Sequence, residues 1–167
     1  MGVEITRESA HDPRAIANKI LQMREGAGQH LTMMQLIKLV YIADGWSLAL
    51  LGKPLSKHNP QAWQYGPVYP VLYTALRKFG SQPVTSPVFV KGTDVPFSEE
   101  FTADEEKILQ QVVDSYGKLS AFKLSNLTHQ AGTPWSKAME AGIYSDISAG
   151  EMAKHFEELR GKRPVKQ

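Results

Sequence analysis

The stretch Leu31–Gly52, LTMMQLIKLVYIADGWSLALLG, constrains the fold of this chain more than any other. Both of its ends are marked. Thr32 can act as an N-cap with Gln35 three residues later, the spacing of a capping box, and Leu31 and Leu36 can meet as a hydrophobic staple. Gly52 supplies the C-terminal stop. In between, Met33, Ile37, Tyr41, Leu48 and Leu51 make one apolar face, and Leu36, Leu39, Val40, Ala43 and Leu50 make another. A helix apolar on nearly all sides is wrapped either by its own protein or by lipid. Lys38 and Asp44 decide the matter, because each would cost about 2.5–3.5 kcal/mol at a bilayer centre. The stretch reads as a buried helix at the heart of a soluble domain.

The remaining segments read as shells around that helix. Asp12-Pro13 opens a helix whose stripe is Ala15, Ile16, Ile20 and Met23, with Gly26 and Gly28 ending it. Gln61–Tyr65 alternates polar and apolar like a short strand, and Gly66-Pro67 stops it and starts a helix over Val68–Phe79. Ser81–Phe101 carries three prolines. Within it, 87–90 is expected to form a strand pairing with 61–65, inside an otherwise mobile loop. Thr102 with Glu105, Ser120, Thr133-Pro134 and Ser148 with Glu151 each mark a helix start. The fold class is therefore mainly α: a single domain of about seven helices around a central buried helix, with a small β-hairpin or ribbon. At 167 residues the chain can bury a sizeable core. Residues 1–11 are expected to be a flexible N-terminus, 12–160 the helical domain, and 161–167 a basic C-terminal tail.

Few chemistries survive inspection. There is no cysteine, which removes disulfides, thiolate metal sites and cysteine nucleophiles, and fits a reducing cytoplasm. The five histidines lack the i, i+4 spacing of a helical zinc site, so no metal and no cofactor is expected. Neither a phosphate loop, a dinucleotide fingerprint nor a nucleophile elbow is present. The net charge of +2 and the absence of a basic stripe argue against nucleic acid as a partner. His129 could serve as a general base, but a ring satisfied by a backbone carbonyl is the favoured reading. Asp44 could be catalytic or a partner contact, but a carboxylate bonded to a loop amide or an arginine within the fold is favoured. Trp46, Trp63, Tyr65, Tyr69, Tyr73 and Trp135 gather aromatics around Gly66-Pro67, as core or as an interface anchor.

Several segments in order carry a resemblance: Ala15–Asn18; Leu31-Thr32 with Leu36–Trp46; Ala62–Pro70; Tyr116-Gly117; and Leu127–His129 followed by Pro134-Trp135. Together they resemble the Panacea-domain family, the SocA-like antitoxins once grouped as phage-associated GepA-like proteins. Asp44 stands where many relatives have Gln or His, and Val40 where Leu is common. The resemblance implies a non-enzymatic, cytoplasmic antitoxin of a bacterial or phage toxin–antitoxin system, binding a cognate protein toxin encoded nearby and neutralising it by direct contact. It also implies an alternative, an adaptor delivering the toxin to the ClpXP protease.

Tyr65, Gly66, Pro67, Tyr69, His129 and Trp135 are the candidate partner-binding residues. Gly66, Pro67, Tyr69 and His129 are placed at the surface, and Tyr41, Trp46 and Trp63 in the core. Partner specificity is assigned to 81–101 and the last helix. Two rivals are an enzyme using Asp44 with His129, which requires a pocket joining them, and a DNA-binding autoregulator. Whether the chain forms a homo-oligomer is open on the sequence.

Overall fold

The computed structural model describes residues 5–25 and 30–162. Among these, the chain runs α1 (Pro13–Arg24), α2 (Met33–Leu51), β1 (Gln61–Trp63), β2 (Gly66–Val68), α3 (Pro70–Leu76) with a 3-10 turn over Arg77–Phe79, α4 (Ala103–Tyr116), α5 (Ala121–Thr128), α6 (Pro134–Met139) and α7 (Ala149–Lys162). It is mainly α, with one two-stranded sheet.

α2 is the axis, and α1, α3, α4, α5, α7 and β2 all pack on it. The capping box is formed: the Gln35 amide donates to Thr32 Oγ1, and the Thr32 amide donates to Gln35 Oε1 at 2.8 Å. Gln35 Nε2 also donates to the Leu119 carbonyl at 3.0 Å, tying the start of α2 to the α4–α5 turn. Every residue from Leu36 to Leu48 is buried, including Lys38 and Asp44. This helix is long and apolar enough to cross a membrane, yet its surface is taken up by its own domain.

The last helix approaches α2 closely at Gly45. A Cβ there would stand 2.2–2.6 Å from the Phe156 ring of α7. That ring lies edge-on to Trp46, with centroids 5.2 Å apart, and to Tyr41 at 6.1 Å. The glycine in the middle of a buried helix is therefore the seat for an aromatic of the last helix, and its low helix propensity is outweighed by that packing.

The outer helices follow their caps. Asp12 accepts the Arg14 amide ahead of Pro13, Thr102 and Glu105 form a second capping box, and Ser120 and Thr133 cap α5 and α6. Asp104, Glu105 and Glu106 occupy the first turn of α4, where acidic side chains oppose the helix dipole favourably.

Several expectations are corrected. The strand at 61–63 pairs with 66–68 and not with 87–90; the register is Gln61↔Val68, Ala62↔Pro67 and Trp63↔Gly66. Gln64-Tyr65 makes a two-residue turn, and the other edge of β1 is already taken, since the Ala62 amide donates to the Ser145 carbonyl and the Tyr144 amide to the Ala62 carbonyl. Gly66-Pro67 is thus strand, and the next helix begins at Pro70, two residues later than expected. The 81–101 segment is pinned, not loose. The Asn18 amide nitrogen donates to the Val88 and Phe97 carbonyls, Asn18 Oδ1 accepts the Val88 amide, and Glu99 accepts from His11 and from the Asp12 amide.

The N-terminal stretch is not a free leader either: residues 5–11 lie against the body, and Arg7 is buried within it. Residues 1–4 lie outside the described residues, as do Gly26 and Gly28. At the other end, Gly161 and Lys162 continue α7, so the basic tail does not begin at 161; residues 163–167 lie outside the described residues.

Substituting Gly45→Ala should lower stability by about 1–3 kcal/mol, the usual cost of overpacking. Urea denaturation of Gly45→Ala, Phe156→Leu and the double variant should reveal a favourable coupling between the two sites.

Candidate functional site: an aromatic rim around a braced hairpin tip

Asp44 is fully buried and saturated from inside. Its Oδ1 accepts the Leu55 amide at 2.9 Å and the Ser56 amide at 3.1 Å; its Oδ2 accepts Arg7 Nη1 at 2.9 Å and the Tyr69 hydroxyl at 2.7 Å. Arg7 is completed by Asn59 Oδ1 and the Ser56 carbonyl. Burial, and then the Asp44 charge, push the Tyr69 phenol upward, so it remains a donor. Asp44 is therefore the internally bonded carboxylate favoured by the sequence. Tyr69 is corrected: it has no exposure, because its hydroxyl is one of the four donors that make a buried carboxylate tolerable.

His129 also takes the plainer of its two readings. Its Nδ1 lies on the Ser125 carbonyl one turn back, and its ring meets Trp135 edge-on at 5.3 Å. Asp44 and His129 share no hydrogen-bond partner, and neither lines the groove between α1 and the 84–101 segment or the smaller one beside Arg7 and Asn59. The larger groove, about 1080 Å³, lies elsewhere, between α1 and the 84–101 segment. Among the described residues no group of three or more His, Asp or Glu is placed to hold a metal.

What the fold does assemble is a hairpin whose carbonyls are gripped from three helices. Lys38 Nζ of α2 donates to the Pro67 carbonyl at 2.9 Å, Ser125 Oγ of α5 donates to the Tyr65 carbonyl, and Trp135 Nε1 of α6 donates to the Trp63 carbonyl at 2.7 Å. Lys38 has no exposure, and burial pushes its ammonium down to about 7. Gly66 sits over it at φ 121°, where an added Cβ would lie 3.1 Å from Lys38 Cε and 3.2 Å from Thr128 Oγ1. Gly66 and Pro67 are consequently buried, not exposed as expected of a Gly-Pro turn; the turn is two positions earlier, at Gln64-Tyr65.

Around this braced tip runs an aromatic rim. Trp63 stacks between Tyr73, centroids 4.9 Å apart, and Tyr144 at 5.6 Å. Trp63 is half-buried, not core, while Tyr41 and Trp46 are buried as expected. Tyr65 projects from the turn with 63% of its surface exposed. Tyr144 is 58% exposed and holds φ 71°, a left-handed conformation that costs a bulky residue about 1–2 kcal/mol. Of the six candidate residues, the fold groups Tyr65, His129 and Trp135 at this rim and places Gly66, Pro67 and Tyr69 beneath it. Tyr144 and Phe122, both exposed, were missed by sequence reasoning. Phe122 follows a serine cap and Tyr144 a glycine, and neither pattern distinguishes a surface aromatic from a packed one.

Residues 36–136 match the profile described as "Antitoxin SocA-like, Panacea domain". The chain belongs to this SocA-like, Panacea-domain family. It is 30% identical over 128 residues to "Antitoxin SocA" of Caulobacter vibrioides (strain NA1000 / CB15N), across 74% of this chain and 68% of that protein. No solved structure matches the chain significantly. The matched span runs from Leu36 in α2 to Ser136 in α6, so it contains the hairpin and all three side chains that brace it.

Two stability outcomes follow from the buried charges. Arg7→Ala strands the Asp44 carboxylate and should cost about 3–5 kcal/mol by chemical denaturation. Lys38 is protonated below about 7 when folded but up to its ordinary 10.5 when unfolded. Between those values the unfolded chain binds the extra proton, so stability should rise with pH across that window. Urea midpoints measured from pH 7 to 10 should show the rise in the parent protein and its loss in Lys38→Met.

Proposed function

We propose that this protein is a cytoplasmic antitoxin that binds a protein toxin encoded nearby and neutralises it by direct contact through the aromatic rim. The reading rests on family membership together with one structural observation: exposed aromatics are held on a tip whose backbone carbonyls are braced by α2, α5 and α6. Rigid, amphipathic anchors of this kind carry much of the energy of protein interfaces, because little conformational entropy is lost on binding. Tyr65, His129 and Trp135 are the contact residues in this reading. Gly66, Pro67 and Tyr69 set the height and angle of the tip from below.

Strained Tyr144 favours the same surface. A side chain held in a left-handed conformation while more than half exposed gives the core little in return, and such positions cluster where a partner is met. Specificity among toxins is assigned to the pinned 81–101 segment and to α7, which flank the domain without building the rim.

The test is growth. Induction of the adjacent open reading frame in a bacterial host should arrest growth, and co-expression of this protein should relieve the arrest and yield a stable complex. Tyr65→Ala should keep the parent melting temperature and weaken toxin binding by about tenfold or more, the effect of losing one interface anchor. Rescue that persists in a host lacking ClpX supports occlusion, and rescue lost there supports delivery to the protease. Arrest without rescue or binding would sink the antitoxin reading.

A further inference from the structure

The rim extends beyond the residues considered so far. Phe122 of α5 is 77% exposed, the most exposed large apolar side chain among the described residues. It stands one turn before Ser125, whose hydroxyl donates to the Tyr65 carbonyl, and two turns before His129. Positions 122, 125 and 129 share one helical stripe. Phe122 and Tyr65 therefore lie on either side of one hydrogen bond, on the same side of the molecule. A single exposed phenylalanine is ordinary, but two adjacent exposed aromatics on braced elements form a patch.

The chain segments that carry this patch hold no acidic residue. The sequence has no Asp or Glu from 45 to 93 and none from 115 to 139, although the chain holds 17 acidic residues. These two acid-free spans contain the hairpin, α3, α5 and α6. Their cations include Arg77, one turn beyond the Tyr73 that packs on Trp63, together with Lys118 and Lys123 flanking Phe122. Lys137 of α6 is neutralised by Glu151 at 2.7 Å. Arg77, Lys118 and Lys123 have no ion-pair partner among the described residues. Asp146 bridges to Gln61, at the end of the hairpin away from its tip. Some charges elsewhere are matched internally, as in His11 with Glu99 and Glu105, or Lys19 with Glu106.

We propose that the hairpin tip and the outer face of α5 form one docking surface for an acidic protein partner, with an apolar anchor seated between Tyr65 and Phe122 and carboxylates facing Lys118 and Lys123. The inference deepens the antitoxin reading and rests on it: the partner is the toxin, and its contact surface is acidic around an apolar centre. Lysines beside an exposed aromatic pair match the arrangement of a protein interface, apolar in the middle and charged at its edge. A nucleic acid would require the longer basic stripe that the chain lacks.

The experiment is calorimetric titration of the full chain with the purified product of the adjacent open reading frame. It compares the parent, Phe122→Asp and the double variant Lys118→Glu/Lys123→Glu, between about 50 and 500 mM salt. A parallel arm titrates a labelled single-stranded DNA of about 20 nucleotides. All three side chains are exposed, so circular dichroism and melting temperature should match the parent. Phe122→Asp should weaken toxin binding by about tenfold or more. The charge-reversed variant should bind about tenfold more weakly at low salt and lose most of the parent's salt dependence.

Toxin binding with the parent affinity and salt slope in the double variant overturns the acidic-partner assignment and leaves the antitoxin reading standing. DNA binding by the parent that both variants abolish, with toxin affinity unchanged, overturns it in favour of nucleic acid. No binding of the adjacent product by the parent removes the antitoxin reading, and the docking assignment with it.

Discussion

A carboxylate buried in the middle of the central helix is the constraint on which the rest of this fold depends. Asp44 could not remain charged there without donors from outside its own helix, since the α2 backbone is already paired. It draws them from three places: Arg7 from the N-terminal segment, two amides at Leu55 and Ser56, and the Tyr69 hydroxyl ahead of α3. Each donor brings its segment to a fixed place. The chain before α1 is held down, the connection after α2 is folded back, and the entry to α3 is set. The two amides and the hydroxyl tie both ends of the 52–69 stretch to one carboxylate.

Lys38 plays the matching part on another side of the same helix. Six residues separate it from Asp44, which at 100° per residue turns it about 120° away around the axis. Its ammonium meets the Pro67 carbonyl and sets the height of the hairpin over α2. Asp44 thus holds both ends of the 52–69 excursion, and Lys38 holds the hairpin within it. Apolar packing alone would hold such an excursion in many registers, because it is non-directional. Directed hydrogen bonds to buried ions select one, and they do so at the place where the aromatic rim is displayed.

The helices were legible because their signals are local. Thr32 with Gln35 and Thr102 with Glu105 predict capping boxes from four residues each, and both are formed. Asp44 was legible as an internally bonded carboxylate because a lone charge in an apolar helix has few other fates. The hairpin was half legible. Alternation found β1, but its partner was misplaced because Gly66-Pro67 looks like a stop, whereas Gly66 in fact supplies the positive φ that lets the chain reverse immediately. Tyr69 was misplaced for a related reason: exposure at a helix start is a default, and the donor that overrides it lies 25 residues away in sequence. Arg7 was invisible. A single arginine in a polar leader has no periodicity, and only the position of Asp44 in space gives it a partner.

The family match and the core do not coincide, and the difference separates what displays the rim from what stabilises it. The matched span holds α2, the hairpin and the donors Lys38, Ser125 and Trp135, so the rim and its bracing lie wholly within 36–136. Yet α2 is completed from outside that span, by Arg7 on Asp44 and by Phe156 in the notch over Gly45. Both ends of the chain therefore close on the same helix. The aromatic surface can stay rigid while most of its ring faces remain free of the core, because the helix beneath it is buried on every side. Only an independently stabilised core permits exposed aromatics and a left-handed Tyr144 to persist. Part of that stability comes from Arg7 and Phe156, which lie outside the matched span.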